Sequence, residues 1–94
     1  MQKTLRLKTG QVVKSLAGRD EGKIFAILEI VDEKYVKIVD GKLRKLEKPK
    51  LKKAMHLKPY NAVIDLHVEN LNDSYIRKSL KVINKEAWLW QKKM

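Results

Sequence analysis

From Gly10 to about Lys58, apolar residues come in short runs broken by turn formers, a rhythm of strands rather than helices. Val12, Val13, Leu16 and Ala17 give apolar surface to a first strand predicted over Gln11–Ala17. The polar turn Gly18-Arg19-Asp20-Glu21-Gly22 follows, and its glycines permit positive φ angles. Ile24-Phe25-Ala26-Ile27-Leu28 runs on to Ile30-Val31 with almost no polar break, too apolar for a half-exposed strand, which predicts a strand through the centre of a small barrel. Asp32-Glu33-Lys34 is a turn, and Tyr35–Val39 is β-branched and partly alternating. Asp40-Gly41 is the dipeptide most favoured in tight hairpin turns, so a fourth strand is predicted from near Lys42, anchored by Leu43 and Leu46 and stopped by Pro49. Lys50–Ala54 then reads as a basic connection, and Met55–Lys58 as a short closing strand ended by Pro59.

Beyond Tyr60 the pattern changes. Ala62-Val63-Ile64-Asp65-Leu66 is apolar and fits either an extension of the sheet or a segment packed across the barrel. A helix is predicted near 73–85: Asn72 or Asp73 can cap its free amides, and Ile76, Leu80 and Ile83 recur on one face, with Arg77, Lys78, Lys81 and Lys85 largely elsewhere. Trp88 and Trp90 call for packing partners, and there is no repeat, Ser/Gly linker or low-complexity tract, so the terminal helix is expected to fold back onto the barrel. The fold class is mostly β, a small five-strand barrel over residues 1–60 with a C-terminal extension over 61–94 that carries the α-helix.

Charge changes this picture more than composition does. With 94 residues and 44% hydrophobic content, the chain suits one folded domain despite 35% charged residues. Lys and Arg outnumber Asp and Glu by 22 to 11, a formal charge of +11 that calls for polyanionic company, nucleic acid first. The longest apolar stretch, Ile24–Val31, is far too short to span a bilayer, so no membrane partner is expected. Met1–Arg6 has no apolar run of signal-peptide length, which gives a cytoplasmic expectation. With no cysteine, disulfides and thiolate-held zinc are excluded.

Residues Gly10-Gln11-Val12-Val13-Lys14-Ser15-Leu16-Ala17-Gly18-Arg19-Asp20-Glu21-Gly22-Lys23 resemble a KOW motif. Val39-Asp40-Gly41, Arg44-Lys45 and the basic stretch ending in His56-Leu57 fit the same pattern, so the resemblance covers roughly residues 10 to 60. It is similar to the barrel that begins certain archaeal and eukaryotic large-subunit ribosomal proteins, and to their short bacterial RNA-binding relatives. The resemblance implies an SH3-like barrel of KOW type whose loops contact RNA backbone, with Gly18 or Gly22 making the sharp turn. It also implies structured RNA such as ribosomal RNA as the partner, and association with the ribosome.

Independently of family, residues 42 to 58 hold Lys42, Arg44, Lys45, Lys48, Lys50, Lys52, Lys53 and Lys58, opposed only by Glu47. A solvated face would interleave both signs, whereas this excess suits phosphates along a groove. The candidate RNA-binding residues are therefore Lys14, Arg19, Lys23, Lys42, Arg44, Lys45, Lys48, Lys50, Lys52, Lys53 and His56. Lysines give affinity without reading bases, so shape should matter more than sequence. Phe25 and Tyr35 sit within strand patterns and are expected to pack rather than stack on bases; for Trp88 and Trp90, packing or a partner contact is favoured over stacking.

No enzyme is expected, since there is no cysteine nucleophile, no serine elbow and no phosphate-binding glycine loop. Asp65, His67 and Glu69 alternate and would share one face of a strand, but no second cluster completes a metal site, so no metal or cofactor is expected. Two rivals to RNA binding remain: a protein-interaction module, for which terminal tryptophans would suit the buried centre of an interface, and non-specific DNA binding, which charge alone does not separate from RNA.

Overall fold

Alternation along the strands sorts the apolar residues into two separate cores. In the computed structural model, which describes residues 7–92 with side chains through residue 84, five strands and one helix form. They are β1 (Gln11–Ser15), β2 (Ile24–Ile30), β3 (Tyr35–Val39), β4 (Lys50–Lys53), β5 (Leu57–Val63) and α1 (Asp73–Lys92), with a 3-10 turn at Ala54–His56 between β4 and β5. All four pairings are antiparallel, in the order β4-β3-β2-β1-β5. A four-strand meander whose fifth strand returns through a 3-10 turn to lie beside the first gives a small barrel-like fold.

Val13, Phe25, Ile27, Val36 and Ile38 point into the barrel, where Leu7, Ala54 and Leu57 join them. Val12, Ala26 and Val39 take the intervening positions and meet Ile64, Ile76 and Leu80 on the outer side. The sheet is thus covered on both faces, which is why the β2 run lacks polar alternation. Asn72 caps α1 through its Oδ1, which accepts the Tyr75 amide at 2.8 Å. Ile76, Leu80 and Ile83 then line the face that docks on the sheet. Burying Ile76 and Leu80 is worth about 1.5–3 kcal/mol each, enough to hold the helix down. Two irregularities bend the sheet: Leu28 is an extra residue in β2, and the β1–β5 register slips between Gln11 and Val13, where Gln11 Nε2 donates to the Tyr60 carbonyl at 3.2 Å.

Several boundaries differ from the sequence expectation. The fourth strand is Lys50–Lys53, the stretch expected as a connection, and residues 42–49 are turns. Pro49 therefore precedes β4 instead of ending it. Pro59 lies inside β5, which among the described residues has β1 as its only strand neighbour and so tolerates a residue without an amide hydrogen. The sheet continues through Val63, past the expected limit at 60. Residues 64–67 are irregular, and Asp65 Oδ1 accepts the His67 amide at 2.9 Å, so Asp65, His67 and Glu69 do not line a strand face. The helix runs to Lys92 rather than ending near 85.

Candidate nucleic-acid interface

Asp40 shapes the connection from β3 to β4. Its Oδ1 accepts the Lys42 amide at 2.9 Å and the Arg44 amide at 2.8 Å, while the amides of Asp40 and Gly41 both donate to the Arg44 carbonyl, at 2.9 and 3.2 Å. A carboxylate that satisfies the backbone of its own turn makes a wider loop than the two-residue hairpin Asp-Gly suggests. Gly41 sits at φ +76° and is buried against the first turn of α1, where a Cβ would collide with the Asp73 carbonyl. The helix also grips the loop through Arg77 Nη1 on the Gly41 carbonyl at 2.9 Å and Asp73 Oδ1 on the Leu46 amide at 2.8 Å. Leu46 tucks into the outer core, but Leu43, expected to anchor a strand, is 67% exposed.

The loop thereby presents Lys42, Arg44, Lys45 and Lys48 on a backbone fixed at both ends. Two shallow depressions flank Leu43. One, of about 400 Å³, lies within the loop against Arg44, Lys45 and Lys48; the other, of about 350 Å³, opens between Lys42, Lys23 and Asn84. Lys23 comes from the β1–β2 loop and Asn84 from α1, so three separate elements converge there. Arg77, Lys81 and Asn84 follow at i, i+4 and i+7 and share one helix face. Arg77 bonds the loop and Asn84 lines the second depression, and Lys81 lies between them on that helix face. Sequence reasoning left Lys81 out of the site, although its spacing from Arg77 was the available signal. Among the described residues, Lys23, Lys42, Arg44, Lys45, Lys48 and Lys81 form no ion pair; the three pairs within 4.0 Å are Lys37–Glu29, Lys50–Asp20 and Lys52–Asp20.

Those last two pairs correct the expectation for Lys50 and Lys52. Strand alternation turns both toward the barrel interior, opposite Ile38 and Val36. Lys52 is 8% exposed, and its Nζ donates to Asp20 Oδ1 at 3.1 Å and to the Ala17 carbonyl at 2.9 Å. Lys50 Nζ lies 3.2 Å from Asp20 Oδ2, an ion pair without the alignment of a hydrogen bond. Ser15 Oγ completes the group by donating to Asp20 Oδ1 at 3.0 Å. Burial pushes the Asp20 carboxyl up, but the Lys52 and Lys50 ammoniums and the Ser15 hydroxyl outweigh it and hold the group at about 2, below its ordinary 3.8. This clasp straps the β1–β2 loop to β4, and it keeps the Lys52 ammonium engaged on Asp20 and Ala17.

The other expected contacts are dispersed. Arg19 is exposed on the β1–β2 loop, and Lys14 is half-buried on β1, directly across from Lys58. Lys53 pairs with Tyr35 at the far end of β3, about 13 Å from the loop at ~3.3 Å per strand residue. His56 belongs to the 3-10 turn, where its carbonyl accepts the Leu16 amide at 2.8 Å. The opposite tip of the barrel, between β2 and β3, carries Asp32 and Glu33. Phe25 is buried in the inner core, Tyr35 is half-buried, and Tyr75 Oη donates to the Asp65 carbonyl at 2.8 Å. Trp88 and Trp90 fall outside the residues whose side chains are described. Among the described residues no three His, Asp or Glu side chains gather as metal ligands, and no helix is long and apolar enough to cross a membrane. Comparison with protein-family models and with curated proteins finds no match to this chain.

Proposed function

We propose that this protein is a cytoplasmic RNA-binding module of KOW type, a binding protein and not an enzyme. It grips the sugar-phosphate backbone of structured RNA, such as ribosomal RNA, with the β3–β4 loop, Lys23 and Lys81. The observation that carries this reading is the contrast in how cations are used: Lys42, Arg44, Lys45 and Lys48 stand on a pinned loop with no ion pair among the described residues. Glu47 and the amide-bound Asp40 are the acids lining the same depressions, so the cations there outnumber them and repel, and a phosphate strand relieves that repulsion while releasing its own counterions. The KOW-like run at 10–23 and the overall charge of +11 point the same way. Lysine dominates the patch, so recognition follows the shape of the backbone rather than base edges.

Fluorescence anisotropy of a labelled RNA hairpin, titrated with the full chain at a series of salt concentrations, tests the reading. With about five cations on phosphates, log affinity should fall against log salt with a slope of about −4 to −5 on duplex. A matched DNA duplex should compete less well. A flat salt response, or DNA binding as tight as RNA binding, overturns it.

A further inference from the structure

Leu43 is the residue that electrostatic binding leaves unexplained. Single exposed leucines are ordinary on protein surfaces, but they are not usually held out by design. Here the amides on either side of Leu43, those of Lys42 and Arg44, are both tied to the Asp40 carboxylate. The loop is then fastened to α1 through Gly41 and Leu46. Leu46, three residues on, packs into the outer core, whereas Leu43 stays 67% exposed where the two depressions meet. Lys42 and Arg44 flank it in sequence, and Lys45 and Lys48 line one of the depressions with it, beside Glu47. The carboxylates nearest in sequence are Asp40, already occupied by backbone amides, and Glu47.

We propose that Leu43 is a wedge that packs against an unstacked base, so that the site takes RNA helices interrupted by a bulge or an unpaired nucleotide. This rests on the RNA-binding reading and narrows its substrate class. An apolar side chain framed by cations matches the layout of such a target, in which an exposed base face is framed by phosphates. A continuous A-form helix offers no such face, because its bases are stacked and its deep groove admits no side chain. The cations would set the overall grip, and Leu43 would set where along the RNA the protein rests.

The test compares two RNA duplexes that differ by one bulged nucleotide, using the full chain and its Leu43→Ala and Leu43→Phe variants. The intact protein should prefer the bulged duplex by about tenfold, as expected for burying much of one leucine side chain. Leu43→Ala should bring that ratio close to one while leaving the salt slope unchanged, because no charge is removed. Leu43→Phe should keep the preference, and thermal unfolding should be the same for all three proteins. Equal binding of both duplexes by the intact protein, or a preference that survives in Leu43→Ala, overturns the wedge and leaves RNA binding standing. Absence of salt-sensitive binding to either duplex overturns both.

Discussion

The lysines of residues 42–48 and those of residues 50–52 are neighbours in sequence and opposites in use. The first group rides on a loop whose backbone satisfies itself through Asp40, leaving its ammoniums outside. The second falls on β4, where alternation turns Lys50 and Lys52 inward onto Asp20. A run of cations is therefore not one feature. Which lysines can meet a partner depends on where the strand begins, and Pro49 marks that border.

The sharpest way to break this comparison is to remove the acid that the inward lysines serve. Asp20→Ala leaves Lys52 buried without its counter-charge and should cost about 3–5 kcal/mol of unfolding free energy, read by urea denaturation. Adding Lys52→Met should recover part of that loss, since an apolar side chain of similar length needs no counter-charge. Additive losses would mean that the two residues do not act as a pair.

Acid provides a gentler probe of the same contact. Asp20 is held at about 2 against an ordinary 3.8, so its contribution is complete above pH 4 and is lost as pH falls through 2. At ~1.4 kcal/mol per unit, about 2 kcal/mol of stability should disappear across that window in the intact protein. The Asp20→Ala variant should lack that portion of the decline.

Much of the fold can be read in the chain because its determinants are local. β1, β2 and β3 follow from short apolar runs between turns, and α1 from the Asn72 cap and the recurrence of Ile76, Leu80 and Ile83. β4 could not be placed this way. Asp40-Gly41 suggests a tight hairpin, whereas the real turn is set by the Asp40 carboxylate together with Asp73 and Arg77, which lie more than twenty residues away in sequence. The misplaced strand carried the site with it. Lys-Leu-Lys-Lys looks solvent-facing in isolation, and the partner of Lys52 is Asp20, 32 positions earlier in the chain. Lys81 was hidden for a related reason: it shares a helix face with Arg77, which meets the cationic loop only once α1 has docked.

Outward lysines should matter for binding and not for folding. Replacing Lys42, Lys45 and Lys48 together with alanine should leave unfolding free energy within about 0.5 kcal/mol of the parent, as for surface substitutions generally. Salt-dependent titration of that triple variant against a structured RNA hairpin is the most direct measurement of the central claim. The slope of log affinity against log salt should shrink in magnitude by about 2 to 3, one increment of ~0.9 for each phosphate contact removed. An unchanged slope in a fully folded triple variant would contradict the assignment of this loop as the RNA-gripping surface.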